Sequence, residues 1–115
     1  MGPKIQQKRK FPRRKFPRKV GVLVNGDYFV ADGVEVGEGG ISVSTAQGPM
    51  KERPVVLSFQ IPGGSFVSVR AELKNERTQD GQYILGFSFE NLKFDKKREV
   101  RTFVSSRSSS EELRH

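Results

Sequence analysis

Val67, Val69, Ala71 and Leu73 alternate strictly with Ser68, Arg70, Glu72 and Lys74. A period of two means an extended strand with one face buried and the other in water, and it excludes a helix over the same residues. The same pattern recurs along the chain. Val20, Val22 and Val24 lead into the turn signal Asn25-Gly26-Asp27, and Tyr28–Val36 is extended but interrupted at Asp32-Gly33, where a bulge is expected. Ile41–Ser44 follows the glycine-rich turn 37–40. Val55, Leu57, Phe59 and Ile61 point one way before Pro62-Gly63-Gly64, and Leu85, Phe87 and Phe89 form a last inward row after Asp80-Gly81. Six short strands at this spacing predict an all-β barrel or sandwich. The 115 residues fit one domain. The tail changes period: Val100, Phe103 and Val104 recur at i, i+3, i+4 behind Asp95, which predicts a short amphipathic helix over 95–107 with Asp95 as its N-cap.

Charge divides the chain more sharply than the strands do. Residues 1–19 hold nine Lys/Arg and no acid, whereas the rest balances to within one charge of neutrality, so the net +8 resides in one segment. Such a block repels itself and is expected to form a flexible arm until an anion neutralises it. Nucleic acid, an acidic membrane, an acidic protein or a small phosphate ligand would each serve. The arm repeats Lys10-Phe11-Pro12-Arg13 as Lys15-Phe16-Pro17-Arg18, and each Pro holds the preceding Phe extended. The expected organisation is an arm over 1–19, a barrel over 20–91, and a helix with a frayed tail over 92–115.

The residues for conventional catalysis are few. There is no cysteine, and the one histidine is His115, so Ser/His and Cys/His arrangements and thiolate metal sites fall away. Glu35 and Glu38 beside glycines read as solvated turn residues before they read as an acid/base pair. No third metal ligand is apparent, and no cofactor is expected. No apolar run approaches the length of a membrane span, which fits a cytoplasmic protein.

Arginine donates a planar fork to phosphate or to the O6/N7 edge of guanine, and a carboxylate accepts from the guanine N1–H and N2–H₂ edge. Arg-x-x-x-Arg occurs twice, as Arg9/Arg13 and Arg14/Arg18. Arg13-Arg14-Lys15-Phe16-Pro17-Arg18 before a Val-rich strand, then Glu35-Val36-Gly37-Glu38-Gly39-Gly40-Ile41 opening another, resembles the PilZ family. That family's signature is Arg-x-x-x-Arg followed by Asp/Asn-x-Ser-x-x-Gly. The resemblance extends through Pro54–Pro62, Leu85-Gly86-Phe87-Ser88-Phe89 and the closing helix, roughly residues 13–107. It implies a six-stranded antiparallel β-barrel, no enzymatic activity, and binding of the bacterial second messenger cyclic di-GMP. Arg14 and Arg18 match the signature arginines, with Arg13 as a helper, and Gly40 matches the final glycine. Glu35 stands where the family has Asp or Asn, and Gly37 where it has Ser. The longer carboxylate displaces its acceptor, and the lost hydroxyl removes one neutral hydrogen bond, worth about 0.5–1.5 kcal/mol.

Three functions are consistent with these residues. The first is a cyclic di-GMP adaptor whose ordered arm signals to a protein of motility, exopolysaccharide or regulatory machinery. The second is a degenerate domain that serves only protein–protein contact. The third assigns the arm to nucleic acid or anionic membrane. It ranks last, because the strand aromatics read as core and no RNA-binding signature is present.

Overall fold

The structure, a computed structural model, describes residues 12–46 and 54–106. The strands are β1 (Arg13–Lys15), β2 (Lys19–Val24), β3 (Asp27–Gly37), β4 (Gly40–Thr45), β5 (Pro54–Gln60), β6 (Phe66–Gln79) and β7 (Gln82–Phe89), followed by helix α1 (Phe94–Ser105). β2, β5, β6, β7, β4 and β3 pair in that order, and β3 pairs with both β2 and β4, which closes the ring. All pairings are antiparallel. The expected six-stranded antiparallel barrel is the fold, with β1 as a short addition on β3. Two of its hairpins turn through a pair of positive-φ residues, Asn25-Gly26 (φ 52°, 82°) and Asp80-Gly81 (φ 53°, 77°). Their twist matches that of the flanking strands.

The inward rows read from the sequence are the core. Val20, Val22, Leu57, Phe59, Val67, Ala71 and Leu85 are buried, and α1 closes the barrel with Val100 and Val104. The helix starts one residue before the predicted Asp95, with Lys93 as an N-cap that makes no side-chain bond. Asp95 lies inside the first turn, where its charge faces the positive end of the helix dipole. α1 is tied to two separate turns of the barrel. Ser65 donates both its N–H and its hydroxyl to the Glu99 carboxylate, at 2.6 and 2.8 Å, and Arg101 forks onto Glu38 at 2.9 and 3.1 Å.

The Arg101 hydrogen bonds, aided by the charges of Arg101 and Lys97, hold the Glu38 carboxyl below its ordinary pKa against the opposing effect of desolvation. A depressed carboxylate contributes stability that is present above its unfolded pKa and lost as pH falls through the folded one. The stability difference between the wild type and Glu38→Gln should therefore be constant near neutrality. It should shrink on acidification below about pH 4.5, the ordinary carboxyl value. Paired urea titrations across that range measure it.

Two features depart from the sequence reading. The segment from Arg13 to Lys19 is a docked part of the sheet rather than a free arm. β1 pairs with β3 (Arg13 opposite Gly37, Lys15 opposite Glu35), and Phe16 is 1% exposed. The physical reason is Phe16 itself, whose ring packs edge-on against Phe59 at 5.7 Å and Phe103 at 6.1 Å. One fully buried phenylalanine offsets much of the charge repulsion among its neighbours. Phe11 and the residues before it lie outside the described residues, as does the tail beyond 106. The second departure is β6, which continues to Gln79, past the last inward residue of its alternation. It does so through a bulge at Lys74, where the pairing shifts between Leu73 and Asn75. A similar shift falls between Gly33 and Glu35 on β3, one residue beyond the break expected at Asp32-Gly33.

Candidate functional site

β1 and β2 lie along the same side of β3 and form one strand with a break in it. The Phe16 N–H donates to the Val34 carbonyl at 2.9 Å, and the Gly33 N–H donates to the Arg18 carbonyl at 2.7 Å. Between them the Arg18 N–H reaches back to the Phe16 carbonyl at 2.8 Å, a three-residue turn centred on Pro17, which has no N–H to lose. The turn drops Phe16 into the core and fixes the faces of the residues before it.

Strand alternation then separates the two adjacent arginines. Arg13 shares a face with Glu35 and Gly37, and its guanidinium stands 4.0 Å from the Glu35 carboxylate. Arg14 points the other way. It donates to the Phe103 carbonyl at 2.8 Å and to the Ser106 carbonyl, and its guanidinium lies 4.4 Å from the centre of the Phe103 ring. Both carbonyls lie at the C-terminal end of α1, where a cation is favoured, and the Phe103 carbonyl also accepts from the Ser106 N–H at 3.3 Å. Arg18 is exposed beyond the kink. The structure thus brings Arg13, Glu35 and Gly37 together and sets Arg14 against the end of α1. Gly40 is buried at the start of β4, so close to the Phe87 carbonyl that no side chain fits.

Arg13 and Glu35 form one wall of a cleft of about 350 Å³ on the outside of the barrel, within the size range of small-molecule sites. It crosses β3, β4, β7 and β6. Its floor is small and polar, with Ser42, Gly86 and Ser88, and its far wall is Lys74, Asn75 and Arg77. In the sequence Lys74 reads only as the outward end of an alternation, and Asn75 and Arg77 carry no signal, because the apolar row that reveals β6 stops at Leu73. Among the described residues, no three His, Cys, Asp or Glu side chains gather as a metal site, and no helix is long and apolar enough to cross a membrane.

A closed six-stranded barrel with a cationic strand laid beside the β3–β4 turn defines the class of protein. A PilZ domain match spans residues 7–106, and the chain belongs to the PilZ domain family. Its fold is similar to that of the Bacillus subtilis inhibitor of motility MotI/DgrA (TM-score 0.80, 13% identity, 100% of this chain and 58% of that one). It is also similar to the PilZ domain of Escherichia coli YcgR with c-di-GMP (0.68, 17%, 94% and 95%) and to Borreliella burgdorferi PlzA in complex with c-di-GMP (0.66, 13%, 84% and 41%). The chain spans little more than half of MotI and less than half of PlzA. No curated protein matches it in sequence.

The family pattern has Ser where this chain has Gly37, and the geometry gives a reason for the glycine. A Cβ at position 37 would stand 2.7 Å from the Pro12 carbonyl oxygen and 3.2 Å from Arg13 Cγ, so β1 would have to move. Gly37→Ser and Gly37→Ala should both lower stability by about 1–3 kcal/mol, as overpacking does. Equal losses in urea titrations would assign the effect to the Cβ rather than to the hydroxyl.

Proposed function

We propose that this chain is a non-catalytic cytoplasmic receptor for cyclic di-GMP that passes the signal to a protein partner. The observation supporting this most directly is the juxtaposition of Arg13 and Glu35 at one cleft of a PilZ domain, with Gly37 opposite Arg13 on β3 and with Arg14 and Arg18 on the same short segment. Solved relatives of the same fold carry c-di-GMP. In this reading Arg13 and Arg18 bind phosphate and guanine, and Glu35 accepts from the guanine N1–H and N2–H₂ edge. Gly37 and Gly40 act behind the cleft, Gly37 by letting β1 lie close to β3 and Gly40 by letting β4 lie close to β7. Arg14 joins the ligand only by leaving the carbonyls of Phe103 and Ser106. Binding then exchanges one set of partners for another and loosens the end of α1, a change that a partner protein of motility, exopolysaccharide or regulatory machinery can read.

The specific observation for the alternative, a domain that has lost the ligand and retains only protein contact, is the same Arg14 latch together with the glycine at 37. Calorimetric titration with cyclic di-GMP at near-physiological salt, with GTP as control, separates the two. Saturable heat with GTP inert is expected. No heat, and no shift in melting temperature at high ligand, would leave the interaction module as the better reading.

A further inference from the structure

The bulge at Lys74 has a consequence for the outer face of the barrel. Before it, Val67, Val69, Ala71 and Leu73 point inward. An uninterrupted strand would continue with Asn75 and Arg77 inward as well. The extra residue inverts the phase, so Asn75 sits opposite Gly86 and Arg77 opposite Ile84 on the cleft side of the sheet. Asn75 lies directly over Gly86, where a Cβ would meet its Oδ1 at 2.6 Å. The cleft therefore has a cationic wall on each side, Arg13 on β1 and Lys74 with Arg77 on β6. They flank a floor of Ser42 and Ser88, with the Asn75 amide laid over Gly86 between them. Lys74 pairs with Glu72 at 2.9 Å, with both side chains about half exposed, and an exposed pair of this kind costs little to exchange for a phosphate.

The geometry points to the β6 extension as the second half of the ligand site. Lys74 and Arg77 contact the phosphate or the O6/N7 edge of guanine in a dianionic cyclic purine dinucleotide, and Asn75 borders the base. These contacts make up for the hydroxyl that Gly37 lacks. The inference rests on the cyclic di-GMP reading above and adds a strand to it that neither arginine motif contains.

The test is titration of the full chain with cyclic di-GMP, using Lys74→Ala, Arg77→Ala and their double variant. Arg70→Ala serves as a control on the same strand before the bulge, where Arg70 pairs with Glu90 at 3.6 Å. All three positions are exposed. Melting curves verify folding, and either single variant keeps the test if the double does not fold. Each single substitution should weaken binding about tenfold or more, the loss expected of a charge-assisted hydrogen bond, with Arg70→Ala unchanged. If the wild type binds and the cleft variants bind equally well, the β6 wall is overturned and the receptor remains. If the wild type does not bind, both are overturned.

Discussion

Phe16→Ala is expected to cost about 3–5 kcal/mol of stability, the range for truncating a buried phenylalanine. A small domain has only about 5–15 kcal/mol to lose, so the melting temperature should fall by at least about 12 °C. The size of the effect follows from what the ring touches. Phe16 is 1% exposed and meets Phe59 and Phe103 edge-on, and it sits where the broken strand turns at Pro17. Phe94→Ala provides the comparison. Phe94 is 65% exposed, with Arg98 over its ring at 5.1 Å, and its loss should cost under about 1 kcal/mol. Urea titrations of both variants measure the difference. Equal, small losses would mean that the basic segment is not anchored in the core.

The second large effect concerns binding. Arg14→Ala with Arg18→Ala should abolish measurable cyclic di-GMP affinity. Each arginine offers charge-assisted bonds worth about 1.5–3 kcal/mol, so together they represent at least about a hundredfold. The two positions should differ in a second measurement. Arg18 is exposed, and its removal should leave the melting temperature nearly unchanged. Arg14 also binds the Phe103 and Ser106 carbonyls and the Phe103 ring, so its removal should destabilise the protein without ligand. If Arg14→Ala bound cyclic di-GMP normally while melting earlier, Arg14 would be a helix latch alone, and Arg13 and Arg18 would hold the ligand without it.

The barrel was readable from the sequence because its strands obey one rule, apolar inward and polar outward. Where that rule stops, so did the reading. Phe16 is a single apolar residue among Arg14, Lys15 and Arg18. One residue makes no period, and only its contacts with Phe59 and Phe103 reveal it as core. The same segment concealed which arginine faces the cleft, since a strand of three cations has no apolar phase to read. The alternation of β6 ends near Lys74 because its far half packs against no core, and the bulge inverts the phase at that point. The pair Glu35 and Gly37 is legible by motif, but the reason for glycine at 37, the carbonyl of Pro12, lies just before β1, a strand no pattern announces. Asp95 marks the helix start in the sequence because acidic residues favour that region, yet the cap is Lys93, which makes no side-chain bond.

The kink at Pro17 also has a mechanical meaning. A pull on the chain upstream of Arg13 loads the three-residue ladder of β1 first, and such a ladder can unzip bond by bond. The pull then reaches Phe16, a bulky ring seated behind a turn, which has to be drawn out whole before any force is felt by β2. The barrel is thus insulated from whatever tugs on the basic segment, up to the strength of one aromatic plug. The Arg14 latch on the end of α1 lies on β1 and gives way with that ladder, before the plug does.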